Sequence, residues 1–530
     1  MKKFLTLLLS FALLVPSLTL FGCDKGDDGT TTVLRVCNCE DYIDESLLDA
    51  FTEETGIEVV YSTYGTNENL YNELLINPNS YDLVVPSEYM IEKLAVEGRI
   101  QPIMNKESYS SFVEDYKNNL SPFIDDKLHS IKIDDGQYQG QNLSLYDFMV
   151  GYMWGTMGWV YNTDTVSVDD VKNWGNIFKN TSLNNRSTLK DSVRDSYIVG
   201  LAMVYEEELK NSSDNVTITE ILNRTDKESI RLVGEKLSSL KSQLYGFEVD
   251  SGKNDIVLGN IDAYVAWSGD AAYAIDVATG EVEDDDGEFI EEDKLRNLSY
   301  YIPDEGSNIW FDGFVMPSGS TNYDAVYKFL KFISRPSSVY ANMNYTGYTS
   351  MVSGGEFEMQ DEENGTKYST TLFDEVVLGW FDESEDLLND AEKTDLSQIS
   401  SNEMIDLGYQ QIDLSYFFGY GDYTVIVSNE GLGRLLAQYP TSEIVDRCAV
   451  MSYFDSNTLL NVNEMWEGVK GETWPWWLIL TFLGLVVLLG AVILLFRNKE
   501  KFKWLQIPER KTTYAQRHNL TEISRKEIKF

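Results

Sequence analysis

"LRVCNCEDYIDESLLDAFTEETGIEVVYSTY" (Leu34–Tyr64) is the stretch on which the fold turns. "LRVCN" is a short strand-like run. "DESLLDAFTEETG" then sets Leu47, Leu48 and Phe51 on one helical face, with Gly56 placed to end the helix. "IEVVYSTY" returns to a β-rich run. The same alternation continues downstream. "NENLYNELLINP" has helical character up to Pro78, "YDLVVPS" is a buried-type strand, and "SEYMIEKLAVEGR" is an amphipathic helix closed by Gly98. Strand and helix alternate three times, which predicts a parallel sheet covered by helices. Ligands of such sheets sit beyond the carboxyl ends of the strands. The turns Cys39–Tyr42 and Ser87–Tyr89 follow the first and third strands, so both are expected to face one crevice.

The two ends of the chain carry membrane signals. Residues 1–23 have the pattern of a lipoprotein signal peptide: Lys2 and Lys3, an apolar run, then "LFGC" before the polar "DKGDDGTTT". Cleavage there leaves Cys23 as a lipid-bearing N-terminus. "WPWWLILTFLGLVVLLGAVILLF" (Trp474–Phe496) has no charged residue and is long enough for a transmembrane helix. Trp474, Trp476 and Trp477 form an aromatic belt at its start, and Arg497, Lys499, Lys501 and Lys503 follow its end. Basic residues stay inside, so 497–530 is expected to be a cytoplasmic tail and 24–473 to lie outside.

That division also sorts the charge. The tail holds 10 Lys+Arg and 4 Asp+Glu and the leader two Lys, which leaves 30 basic against 82 acidic residues in 24–473. Such a surface repels nucleic acid and draws in cations. Cys37, Cys39 and Cys448 remain outside, an odd number that makes no disulfide framework. With His129 they match no zinc-finger or ribbon spacing, so no metal site is expected. Cys37 and Cys39 lie two apart on a strand and point to one side, Cys37 toward core and Cys39 toward the crevice as a small, soft wall.

A second α/β region is expected after "YDFMVGYMWGTMGWVYN" (Tyr146–Asn162), an aromatic run too hydrophobic for an ordinary loop. "ESIRLVGEKLSSLK", "IDAYVAWSGDAAYAID" and "YDAVYKFLKFIS" continue helix and strand patterns. The acidic run Glu281–Asp293 fails the EF-hand pattern, because Gly287 at the sixth place puts Val282 at the first, and a solvated hairpin is expected instead. Segment 355–405 is polar and acidic, the character of a surface insertion.

Together these blocks resemble the spermidine/putrescine-binding proteins of ABC transporters. The likeness runs through "FTEETGIEVVYSTYGTNENLYNELL", "YDLVVPSEYMIEKLAVEGRIQPI", "YMWGTMGWVYN", "DSVRDSY", "AYVAWSGDAAYAI", "NIWFDGFVMP" and "GYTS", in the family's order. The resemblance implies an α/β fold of two lobes, the type II periplasmic-binding-protein fold with hinge crossovers. Lobe 1 is expected over 33–148 with a return segment at about 307–350. Lobe 2 is expected over 149–306 with a return at about 351–470, including the acidic insertion 355–405. It further implies a monomeric receptor that hands its solute to permease subunits in the membrane, with no cofactor and no chemistry on the ligand.

Carried over position by position, the resemblance assigns ligand contacts to Asp41, Tyr42, Ser87, Tyr89, Asp195, Trp267, Trp310, Asp312 and Tyr348. Cys39 stands where the family has Trp, and Ser192 replaces a second carboxylate. Those residue types suit a polyamine, an alkyl chain with ammonium heads. Carboxylates give strong charge-assisted hydrogen bonds, and aromatic faces cover methylenes and attract ammonium by cation–π contact. Structural roles compete at each place. Asp41 and Ser87 are positioned to cap the helices that follow, Tyr42 and Tyr89 to pack at helix entries, and Asp195 to cap or pair beside Arg194. Trp267, Trp310 and Tyr348 also suit the core. The rival functions are a receptor for another cation such as a thiamine-like compound, and a surface sensor or adhesion protein. An enzyme is not expected: G-x-S-x-G, H-E-x-x-H and P-loop patterns are absent.

Overall fold

The strand–helix alternation of the N-terminal region is realised in the expected order, although the strand expected over "YDLVVPS" is only Leu83–Val84. The computed structural model describes residues 32–471 apart from 134–135, 213, 280, 284–288, 292–295 and 362–364, together with Thr481 and Gly484. Strands β1 (Val33–Cys39), β2 (Glu58–Tyr64) and β3 (Leu83–Val84) are parallel, with β1 between the other two. Helix α1 (Ser46–Thr55) follows β1 and buries Leu47, Leu48 and Phe51. It ends at Gly56, whose φ of 70° is the left-handed conformation that favours glycine. Helix α2 (Asn67–Ile76) follows β2 and helix α3 (Glu88–Val96) follows β3.

The aromatic run at 149–162 becomes one long strand, β4 (Met149–Asn162), buried at every position. That is why it carries no polar alternation: both of its faces are covered. Beyond it lie β5 (Ser187–Lys190), β6 (Gly246–Glu248) and β7 (Ala263–Trp267). Strand β8 (Ser307–Pro317) pairs antiparallel with β4 along most of its length, with a register shift between Asp312 and Gly313. The resulting order is β2-β1-β3-β8-β4-β7-β5-β6.

Strands β4 and β8 therefore join two α/β lobes. Val315 of β8 pairs with Val84 of β3, while the far end of β4 pairs with β7 from Tyr161↔Ala263 to Met157↔Trp267. Helix α4 (Val193–Val204) follows β5, and helix α5 (Ser268–Thr279) follows β7 directly. Among the described residues two large apolar clusters form, beside a small one of Leu387, Ile399, Tyr409 and Ile426. One gathers the β1–β3 region and residues between Val352 and Cys448, and the other gathers the α4 region and Ala449–Val469.

Two expectations are refined. The polar segment 355–405 carries a hairpin, Glu356–Gln360 with Lys367–Thr371, and it buries Phe357, Phe373, Val376, Val377 and Phe381 in the first cluster. Its acidic composition conceals widely spaced apolar anchors. The acidic run 281–293 holds a short antiparallel pair, Glu281–Glu283 with Phe289–Glu291. The signal peptide with Cys23, the span 474–496 except Thr481 and Gly484, and the tail 497–530 lie outside the described residues. Among the described residues no helix is long and apolar enough to cross a membrane, and no group of His, Cys, Asp and Glu is arranged for a metal.

Close approach in the crossing strands demands glycine. A Cβ on Gly158 of β4 would lie 2.6 Å from the Tyr301 carbonyl oxygen and 2.7 Å from the Tyr300 ring. Gly158→Ala is expected to lower unfolding stability by about 1–3 kcal/mol, measured by chemical denaturation; unchanged stability would show that the strands can part there.

Candidate functional site

The ends of β1 and β3 and the middle of β8 converge, as parallel α/β order requires. Asp312 sits at the register shift of β8 and forms an isolated bridge with Ser87, the residue that opens α3. Tyr42 donates its phenol to Asp312 Oδ2 at 2.9 Å. Its ring packs edge-on against Tyr152 and Tyr348, with centroids 5.4 and 5.1 Å away. Trp310, two residues before Asp312 on the same face of β8, meets Tyr348 at 5.6 Å. Tyr42, Ser87, Trp310, Asp312 and Tyr348 are thus one contiguous group.

Asp312 is the electrostatic centre of that group. Its Oδ1 is shielded from solvent and has no hydrogen-bond partner among the described residues. Burial pushes its pKa up to about 6, against the nearby Ser87 hydroxyl and Tyr42 phenol, which favour the charged form. Glu88, the next residue after Ser87, is buried and accepts the Phe311 amide at 3.0 Å. Burial raises it to about 8 despite that bond, so it is predominantly neutral at pH 7. The pair then carries mainly one negative charge rather than two at neutral pH.

The second lobe contributes a different group. Ser192 caps α4 through the Asp195 amide at 3.4 Å, and Asp195 is buried. Burial raises its pKa, while Ser192, Lys190, Trp267 and Arg194 favour its ionised form. Trp267 ends β7. Lys190 ends β5, and its Nζ lies 4.1 Å from the Trp267 ring centroid. Asp270, in the first turn of α5, lies 3.5 Å from Lys190 and receives the Tyr348 phenol at 3.3 Å. Tyr348 therefore links the two groups. Tyr89 joins by another route: Arg194 lies 3.7 Å over its ring, and its phenol donates to Glu68 at 3.3 Å.

Asp41 stands apart. It is exposed in the turn after β1 with φ of 50° and has no described contact with the other eight residues. It does not cap α1 either, since that helix opens at Glu45. Ser87 occupies the N-cap place of α3 without a side-chain capping bond, and its hydroxyl instead accepts from Asn67 at 3.0 Å. Cys39 is half-buried beside the site, its thiol pushed up to about 12 by burial and by the charge of Asp312. Glu88, Lys190 and Asp270 went unnoticed in the sequence. Each was adjacent to a singled-out motif, but only tertiary pairing reveals its role.

Residues 46–354 match the family described as bacterial extracellular solute-binding protein. Among similar curated proteins, the spermidine/putrescine-binding periplasmic protein of Salmonella typhimurium is 28% identical over 300 residues, 56% of this chain and 72% of the relative. The putrescine-binding periplasmic protein of Escherichia coli K12 is 28% identical over 356 residues, 65% of this chain and 85% of the relative. Among solved structures, the spermidine/putrescine substrate-binding protein of Streptococcus pneumoniae superposes with a TM-score of 0.51 at 23% identity, covering 83% of this chain and 98% of that one. A lipoprotein of Treponema pallidum superposes with a TM-score of 0.51 at 16% identity, covering 82% and 99%. At these identities the structural likeness establishes the fold.

The raised carboxyl groups set a pH dependence. Asp312 at about 6, Glu92 at about 7 and Glu88 at about 8 keep protons that the unfolded chain has already released. Folding stability is therefore lost as pH rises through those values. Carboxylates held low by ion pairs, such as Asp82 and Asp262, act only below the ordinary carboxylate range. The ligand-free chain is expected to melt at a higher temperature at pH 5.5 than at pH 8, with Glu88→Gln flattening the difference; a midpoint that rises toward pH 8 would contradict the reading.

Proposed function

The chain belongs to the bacterial extracellular solute-binding proteins, and we propose that it captures polyamines such as spermidine and putrescine for delivery to an ABC importer permease. The carrying observation is Asp312: a carboxylate with one shielded, unpartnered oxygen, held by Tyr42, whose ring packs on Tyr348 and through it on Trp310. An ammonium head fits that environment because it offers Asp312 a charge-assisted hydrogen bond and the rings a cation. The methylenes of the ligand pack along the aromatic faces. The relatives named for spermidine and putrescine binding support the same ligand class. A neutral solute leaves Asp312 unpaired in a low-dielectric cleft and is rejected.

Of the nine assigned contacts, Tyr42, Ser87, Trp310, Asp312 and Tyr348 form the head-group site in this reading. Asp195, Trp267 and Tyr89 form the second-lobe wall, and Asp41 acts at the mouth. The receptor works outside the cytoplasm as a monomer. Lipid on Cys23 and a membrane helix over 474–496 hold it near its permease, with 497–530 inside the cell. Tethering raises the local concentration of receptor at the permease.

Titration calorimetry of the full chain in detergent with putrescine, spermidine and thiamine tests this. Saturable heat from the polyamines is expected, and Asp312→Asn is expected to weaken binding by about 2–5 kcal/mol. Heat from thiamine alone, or no heat from any amine, would overturn it.

A further inference from the structure

The second-lobe end of the cleft already contains a cation of its own. Lys190 is 1% exposed, and its ammonium donates to the Val249 carbonyl at 2.6 Å. It lies 3.5 Å from Asp270, 4.0 Å from Glu248 and 4.1 Å from the centre of the Trp267 ring. An acidic partner on one side and an aromatic face on the other is the environment that a ligand ammonium requires. Here a side chain of the protein fills it.

Cations already stand among the carboxylates at that end. Asp195, Glu248 and Asp270 have beside them Lys190, Lys253 at 3.8 Å from Asp270, and Arg194, whose charge favours ionised Asp195, while Asp250 adds negative charge near Glu248. At Asp312, by contrast, no basic side chain among the described residues pairs with the carboxylate, and its Oδ1 has no partner. The two ends of the cleft therefore differ: one lacks a cation and the other is supplied with one.

We propose that Lys190 is a specificity-determining residue that takes the place of a second ligand ammonium, so that the cleft holds a polyamine by a single terminal head at Asp312. This rests on the polyamine reading above and narrows it. A second ammonium approaching Trp267 meets Lys190 rather than an open carboxylate, and like charges in a shielded site repel strongly. The second head then adds little to affinity. The ligand class is an alkylamine with one engaged ammonium and an apolar stem.

Calorimetry of the full chain in detergent with butylamine, putrescine and spermidine decides the matter. The wild-type chain is expected to bind putrescine less than about tenfold more tightly than butylamine, a difference under about 1.4 kcal/mol. Lys190→Met removes the cation between Asp270 and Glu248, the one nearest the Trp267 face, so the putrescine-to-butylamine ratio is expected to rise at least about tenfold. A larger wild-type preference for putrescine overturns the role of Lys190 while the polyamine reading stands, and this comparison needs no variant. A ratio unchanged by Lys190→Met also overturns it. Silence from all three amines sinks the polyamine reading and this inference together.

Discussion

A carboxylate placed where two crossing strands shift register governs the site. Asp312 lies in β8, which is held against β4 on one side and bridged to Ser87 at the end of β3 on the other. The backbone around it is fixed by the sheet, so the side chain has little freedom to leave. Tyr42 holds one oxygen and the other is unpartnered. Desolvating a carboxylate without a countercharge is costly, and the raised pKa of Asp312 registers that cost. In the proposed function a cation entering from solvent relieves it, which turns the geometry of the sheet into selectivity for charge.

The neighbouring groups sharpen that logic. Glu88, beside Asp312, accepts a backbone amide through one oxygen and is predominantly neutral at pH 7, so repulsion between two adjacent carboxylates is avoided. Tyr348 connects the first-lobe rings to Asp270 in the second lobe, and Arg194 reaches back over Tyr89. Contacts from both lobes thus meet around one cleft. The unpartnered oxygen of Asp312 and the ammonium of Lys190 beside Asp270 give the two ends of the group different electrostatics.

Much of the fold was legible in sequence because its signals are local. Leu47, Leu48 and Phe51 mark a helical face, and Gly56 marks its end, all within a few turns of chain. Strand order then put Tyr42 and Ser87 at the same crevice before any tertiary contact was known. Trp310, Asp312 and Tyr348 came from the family likeness, and they fall together. Asp41 shows the limit of reading positions one at a time: a left-handed turn residue beside Tyr42 is exposed while Tyr42 is buried. Lys190 and Asp270 show another limit. They meet because β5 and β7 are parallel neighbours, a pairing that no local pattern encodes. The buried anchors of 355–405 were hidden because acidic residues dominate between them.

Proton exchange on ligand binding tests the central claim most directly. With its pKa raised to about 6, Asp312 is partly protonated at pH 6 before ligand arrives, and an ammonium at that site must expel those protons. Calorimetry of putrescine binding in buffers of different ionisation enthalpy reads the number released. The account predicts net proton release on binding at pH 6, abolished in Asp312→Asn. Binding of putrescine at pH 6 with no proton released would contradict it.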